Sequence, residues 1–172
     1  MRAVKILSAL AVALFLAACG GDSGIGGGPS KFRDYDGPPV TSVQVHKAER
    51  KMYLLNGNRV LKTYDIALGF QPVGHKQFEG DGKTPEGAYW LDRQNPNSAY
   101  HLSVGVSYPN ANDRINALAN GKLPGGDIFI HGDSRGPKRQ RDWTAGCIAV
   151  TDDEIEEIYS MIRVGTVIHI MK

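Results

Sequence analysis

The chain reads as mainly β with two short helices, and three observations carry that reading. Several short runs alternate apolar and polar residues with the period of two that half-buries a strand. Turn-forming Gly, Pro and Asn residues separate these runs. Only two stretches carry the start or stop signals of a helix.

Thr41 to Lys47 alternates, with Val43 and Val45 on one face, and opens the strand series. Lys51 to Leu55 and Arg59 to Ala67 flank Asn56-Gly57-Asn58, a hairpin signal. Ala88 to Leu91, Tyr100 to Val106, Asp127 to His131, Cys147 to Val150 and Thr166 to Ile170 complete the expected strands. Long Gly/Pro/Asn-rich connections lie between several of them, the kind of loop that carries function. Asn112 to Ala119 reads as a short helix stopped by Asn120-Gly121. The second helix is clearer: Thr151 with Glu154 forms a capping box, and Asp152 and Asp153 occupy the first turn. Ile155, Ile158, Tyr159 and Ile162 then recur at helical spacing and are expected to face the core.

Ahead of these elements lies a different kind of sequence. Arg2 and Lys5 make a positive start, Ile6 to Leu16 a short apolar run, and Leu16-Ala17-Ala18-Cys19 closes it with small residues before a cysteine. The apolar run falls short of the roughly 20 residues that span a bilayer. The pattern resembles a bacterial lipobox, which implies cleavage before Cys19 and acylation of that residue with more than one chain, as stable anchoring requires. The competing reading is an ordinary secretory signal. The expected organisation is a lipoprotein-type signal peptide over 1–18, a lipidated Cys19 with a Gly-rich tether over 19–37, and a catalytic-sized domain over 38–172. The implied location is the bacterial cell envelope, lipid-anchored on the periplasmic face. Gly20 and Gly21, with no Asp after the cysteine, favour the outer membrane under the enterobacterial sorting rule.

Charge narrows the partners. The precursor carries 20 basic and 18 acidic residues, and loss of Arg2 and Lys5 leaves 18 of each. A balanced domain has no electrostatic footprint for nucleic acid. With Cys19 lipidated, Cys147 is a lone cysteine in an exported chain, where cysteines are usually paired or missing.

Cys147 closes Trp143-Thr144-Ala145-Gly146-Cys147, and His131-Gly132 lies 16 residues upstream at the end of the apolar run Asp127-Ile128-Phe129-Ile130. A thiol attacks as thiolate, and a neighbouring imidazole is the commonest base that makes one. Small residues beside the thiol let backbone N–H groups approach a developing oxyanion. Cys147 is therefore the candidate nucleophile, His131 the general base and acid, and the Gly146 and Cys147 N–H groups the candidate oxyanion donors. Either Asp133 or a backbone carbonyl near Gly132 would fix the imidazole tautomer. Thr144 orients the loop or bonds substrate. Arg139 and Arg141, with Lys138, are candidates for binding substrate carboxylates, and Trp143 for a wall of the cleft. The plain alternatives are a buried structural cysteine, a core histidine and a solvated basic loop.

No zinc-type spacing joins His46, His75, His101 and His169, so no metal or other cofactor is expected. Gly80-Asp81-Gly82-Lys83-Thr84 lacks the spacing of a phosphate loop and reads as a turn-rich loop.

These motifs resemble the L,D-transpeptidase catalytic domain of the YkuD type. Ile130-His131-Gly132 and Thr144-Ala145-Gly146-Cys147 are similar to its signature, and Glu79 to Gly87 is similar to the segment preceding one of its core strands. Asn95-Pro96-Asn97-Ser98, His101-Leu102-Ser103 and Ser107-Tyr108-Pro109-Asn110 resemble a periplasmic, YafK/DpaA-like branch, and the likeness runs from about Val40 to Ile170. It implies a β-sandwich or barrel-like catalytic fold and a cysteine acyltransferase acting on peptidoglycan stem peptides through a thioester. The acceptor would be another stem peptide (a 3→3 cross-link), water, or a lysine of a sacculus-attached lipoprotein. Two positions depart from the signature: Ala145 replaces its usual His and Ala149 its usual polar residue. The resembling branch shares Ala-Gly-Cys and is associated with hydrolysis of the lipoprotein–sacculus bond, so transfer and hydrolysis both stay open. A non-catalytic peptidoglycan-binding lipoprotein is the remaining alternative.

Overall fold

Alternating side chains build most of this molecule. In the computed structural model, which describes residues 30–133 and 141–172, β1 (Ser42–His46) buries Val43 and Val45. β2 (Lys51–Asn56) and β3 (Arg59–Asp65) form the expected hairpin, turning at Gly57, whose φ of 56° suits a residue without Cβ. β4 (Leu68–Gly69), β5 (Gly87–Ser98) and β6 (His101–Val106) follow, then α1 (Ala111–Ala119) and β7 (Phe129–His131). β8 (Asp142–Thr144), β9 (Ile148–Ala149), α2 (Asp152–Met161) and β10 (Thr166–Met171) complete the chain. Cys19, Arg139 and Lys138 lie outside the described residues, as does the span 1–18.

Eight strands form one sheet in the order β3-β2-β1-β10-β5-β6-β7-β9, and β4 pairs with β8 in a second, two-stranded sheet. β1/β10 and β7/β9 are parallel; the other pairs of the large sheet are antiparallel. The sheet curls until its ends meet. Ala67, just beyond β3 at one edge, exchanges two backbone hydrogen bonds of 2.9 Å with Ala149 of β9 at the other edge. Laid flat, seven inter-strand gaps would separate those edges by about 34 Å, whereas two residues reach only about 7 Å. Curling is the only geometry that satisfies both.

The core is apolar and β-branched: Val43, Val45, Leu54, Leu91, Val104, Ile130, Ile148 and Ile168 are fully buried. α2 seals it with Ile155, Ile158 and Met161, each burial contributing roughly 1.5–3 kcal/mol. Its capping box forms as the sequence predicts, with Thr151 Oγ1 accepting from Glu154 N and the Glu154 carboxylate from Thr151 N. Ile162 caps the helix and is buried, while Tyr159 is only partly so.

Three expectations shift. β5 continues to Ser98 rather than ending at Leu91, because pairing with β6 extends to Asn95↔Ser103 and Ser98↔His101 through residues with no apolar period to betray it. β7 begins at Phe129, since Asp127 adopts a φ of 53° that breaks the strand. Cys147 sits just before β9 instead of within it.

Candidate active site

β7 and β9 run side by side and parallel, with Ile130 opposite Ile148 and His131 opposite Ala149. A base at the end of one strand and a thiol at the mouth of the next are thus held by the sheet itself. Both line a cavity of about 280 Å³, together with Asn95, Tyr100, Ser103, Asp127 and Phe129. The cavity lies on the sheet face opposite α2. Gln94 reaches through the other face to the carbonyls of Tyr159 (2.7 Å) and Ile162 (3.2 Å). Alternation therefore turns Asn95 the opposite way.

His131 is almost fully buried, and its Nδ1 lies 2.7 Å from the carbonyl oxygen of Gly132. A carbonyl only accepts, so Nδ1 carries the proton and Nε2 is left as the basic nitrogen. Of the two tautomer-fixing groups the sequence left open, the backbone carbonyl makes this contact; Asp133 instead donates its N–H to Asp152 Oδ1 at 3.0 Å. A Cβ on Gly132 would meet that same Oδ1 at 2.2 Å and the Tyr100 carbonyl at 2.9 Å, so the position admits only glycine. Burial pushes the imidazole below its ordinary 6.5, against the opposing pull of the Gly132 carbonyl, Asp133 and Asp152. The ring is clasped by Tyr100, 4.6 Å between centroids, and Trp143, 5.7 Å and edge-on.

Cys147 Sγ lies 3.4 Å from the Asp127 carbonyl, to which the thiol donates. Burial raises this thiol above 9.0, opposed by the Phe129 N–H and Lys76 and assisted by Asp127. Burial thus disfavours the charged form of each group, the thiolate and the imidazolium.

Thr144 holds the loop before Cys147 together. Expected either to orient the loop or to bond substrate, it is buried; its hydroxyl donates to the Cys147 carbonyl at 2.7 Å and accepts from Gly146 N at 3.1 Å. The Gly146 N–H is therefore engaged within the loop rather than open to an oxyanion, which leaves the Cys147 N–H as the donor candidate at this turn. Gly146 adopts a φ of 136°, and a Cβ there would meet the Lys83 carbonyl at 2.7 Å. That carbonyl belongs to the turn-rich loop around Asp81. The Asp81 carboxylate accepts from the backbone N–H of Gln77, Phe78 and Lys83 and from Lys76 Nζ. Burial alone would raise this carboxyl, but those donors hold it below its ordinary range.

Trp143 packs on His131 and Tyr100 and is not among the cavity's lining residues. Its neighbour Asp142 takes a two-pronged ion pair from Arg50 (2.8 and 2.9 Å) and anchors β8. Arg141 is exposed and lies away from the cavity lining. Sequence reasoning missed Tyr100, Ser103 and Asn95. A signal existed for Ser103: it is a polar residue inside the apolar run of β6, in register with His131. Among the described residues no group of three or more His, Cys, Asp or Glu side chains is placed to hold a metal ion. His75 and His101 are engaged with Asp113 and Glu156.

Comparison with known proteins follows the same lines. The family model described as YkuD, L,D-transpeptidase catalytic domain, matches residues 41–170. YafK of Escherichia coli (strain K12), provisionally described as an L,D-transpeptidase, is 32% identical over 168 residues, 90% of this chain and 63% of that protein. The chain thus spans under two thirds of that relative's length. The crystal structure of the helical cell shape determining protein Pgp2 from Campylobacter jejuni superposes with a TM-score of 0.62 at 29% identity, covering 77% of this chain and 48% of that one. An L,D-transpeptidase from Mycobacterium smegmatis shares the fold at a TM-score of 0.52 and 14% identity, over 76% of this chain and 58% of that one.

Proposed function

Because the chain belongs to the L,D-transpeptidase catalytic-domain family, we propose that it is a cysteine acyltransferase of peptidoglycan stem peptides working through a thioester on Cys147. The observation that carries this reading is the shared cleft: Cys147 and His131 line one cavity from adjacent parallel strands, with the Gly132 carbonyl on Nδ1.

The reaction begins from the uncharged thiol and imidazole. As the scissile carbonyl approaches, His131 Nε2 takes the thiol proton and the sulfur attacks. Negative charge grows on the carbonyl oxygen, where the Cys147 N–H is the candidate donor. The imidazolium, stabilised by the Gly132 carbonyl, returns its proton to the leaving amine, and the acyl group remains on sulfur. An acceptor amine, or water, then gives up a proton to His131 and takes the acyl group, while the C–S bond breaks and the departing Cys147 sulfur recovers that proton from the imidazolium. Forming the thiolate only at the moment of attack keeps an exported thiol unreactive between turnovers.

The same proposal places the chain in the cell envelope. The span 1–18 acts as the signal, acylated Cys19 anchors the protein at the outer membrane, and 19–37 joins that anchor to the catalytic domain of 38–172, its last residues held to the domain by Arg33 on Glu156 and by Tyr35 against the core. Replacing Cys19 with Ser is then expected to move the protein from the membrane to the soluble fraction.

The test incubates sacculi with the full chain or its Cys147→Ala variant and identifies muropeptides by mass spectrometry. New 3→3 dimers made only by the unaltered chain support transfer. Loss of terminal residues or of attached lipoprotein without dimers makes the enzyme a hydrolase on the same chemistry. Binding without any thiol-dependent product would overturn the enzyme and leave a binding module.

A further inference from the structure

The sheet register places one more residue on the face that carries the cavity, beside its lining and not within it. Across β5, β6 and β7, Asn95 pairs with Ser103 and Ser103 with His131; one row further along, Arg93 pairs with Gly105 and Gly105 with Phe129. No irregularity separates Arg93 from Asn95, so both side chains leave the same face, the one that carries the cavity. Gly105 has no side chain to fill the space between. A Cβ there would meet Arg93 Cγ at 2.6 Å and Cζ at 2.9 Å, so the arginine lies flat across β6. Its guanidinium ends 4.5 Å from the centroid of the Phe129 ring, and Phe129 lines the cavity beside Cys147.

From this arrangement we infer that Arg93 is a substrate-binding residue that recognises a carboxylate adjacent to the scissile bond, an inference that rests on the function proposed above. The guanidinium has five N–H donors, and its one side-chain hydrogen bond, among the described residues, is to Asp92 at 2.8 Å. Its ion pair to Asp127 spans 3.5 Å to a side chain that is 92% exposed, a contact worth little and readily exchanged. The Arg93 side chain is itself 43% exposed, so a ligand reaches it without a fold change. Its place over the Phe129 ring holds the guanidinium beside the cavity, and its fork suits two-pronged capture of a carboxylate better than a lysine would. A stem tetrapeptide offers two such groups within a residue of the attacked carbonyl: the C-terminal carboxylate of the leaving amino acid and the side-chain carboxylate of the diaminoacid.

The experiment measures kcat and KM of the full chain, Arg93→Gln and Arg93→Lys on three peptides: the native tetrapeptide, its C-terminal amide, and the peptide amidated on the diaminoacid side chain. Turnover of the native peptide by the unaltered chain is the control; without it the proposed function fails, not this inference alone. Given turnover, Arg93→Gln is expected to lose about 10- to 100-fold in kcat/KM on the native peptide. The loss shrinks to within about twofold on whichever amide removes the recognised carboxylate, and Arg93→Lys falls between. Gly105→Ala provides a second route. It retains the charge but displaces the Arg93 side chain, together with the Asp92 carboxylate that lies 2.7 Å from the same Cβ, and is expected to reproduce the selective loss. An equal loss on all three peptides, or none, would overturn the inference.

Discussion

Burial raises the Cys147 thiol above its ordinary value and lowers the His131 imidazole, so both lean to their uncharged forms in the cavity they share. Iodoacetamide is accordingly expected to modify Cys147 slowly at neutral pH and faster as the pH rises. Full reactivity at pH 6 would contradict the raised thiol. His131 makes a second prediction. Its folded pKa lies below the unfolded 6.5, so between those values the unfolded chain binds more protons and stability falls as pH drops. Above 6.5 this penalty vanishes. His131→Gln should flatten that part of the urea-midpoint profile between about pH 6.5 and the folded pKa; an unchanged slope would show that another group carries it. That Cys147 and His131 share one cavity was legible from residue type and spacing because both sit in one short stretch of chain. Tyr100, Ser103 and Arg93 were not, since they reach the cleft from β5, β6 and the turn between them, and only strand register reveals it.

The turn before Cys147 is a braced element, not a free loop. Thr144 ties both of its ends, and the Lys83 carbonyl presses on Gly146. Gly146→Ala is expected to cost about 1–3 kcal/mol from its positive φ alone, together with most activity, read by thermal melting and peptide turnover. Thr144→Val keeps the shape but strands the Gly146 N–H, and should cost about 1–3 kcal/mol. A Thr144→Val protein of native stability with a raised KM alone would restore the substrate-binding role read from sequence. α2 was legible down to its cap because Thr151, Glu154 and the isoleucine spacing are local signals. Thr151→Ala is accordingly expected to lose about 1 kcal/mol. β4 and β8 were not legible, because strands of two and three residues are too short to show a period, and β8 depends on the distant Arg50 that grips Asp142.

At the scale of the molecule, the curled sheet makes the site. β9 is short and would fray as an edge strand, but Ala67 pairs with it from the far side and closes the ring. Amide exchange at Ala67 and Ala149 is therefore expected to be as slow as at central positions such as Val45; fast exchange would contradict closure. The β-rich class was legible from alternation, whereas closure depends on a pairing between residues 82 positions apart that no local pattern announces. In the proposed reaction this architecture holds Cys147 where substrate would be joined to it. The most direct test mixes the full chain with stem tetrapeptide, quenches with acid within one turnover and maps the intact mass to a residue. A tripeptide acyl adduct on Cys147 is expected, with no adduct or product from Cys147→Ala. Product formed by Cys147→Ala at the unaltered rate would contradict that reaction.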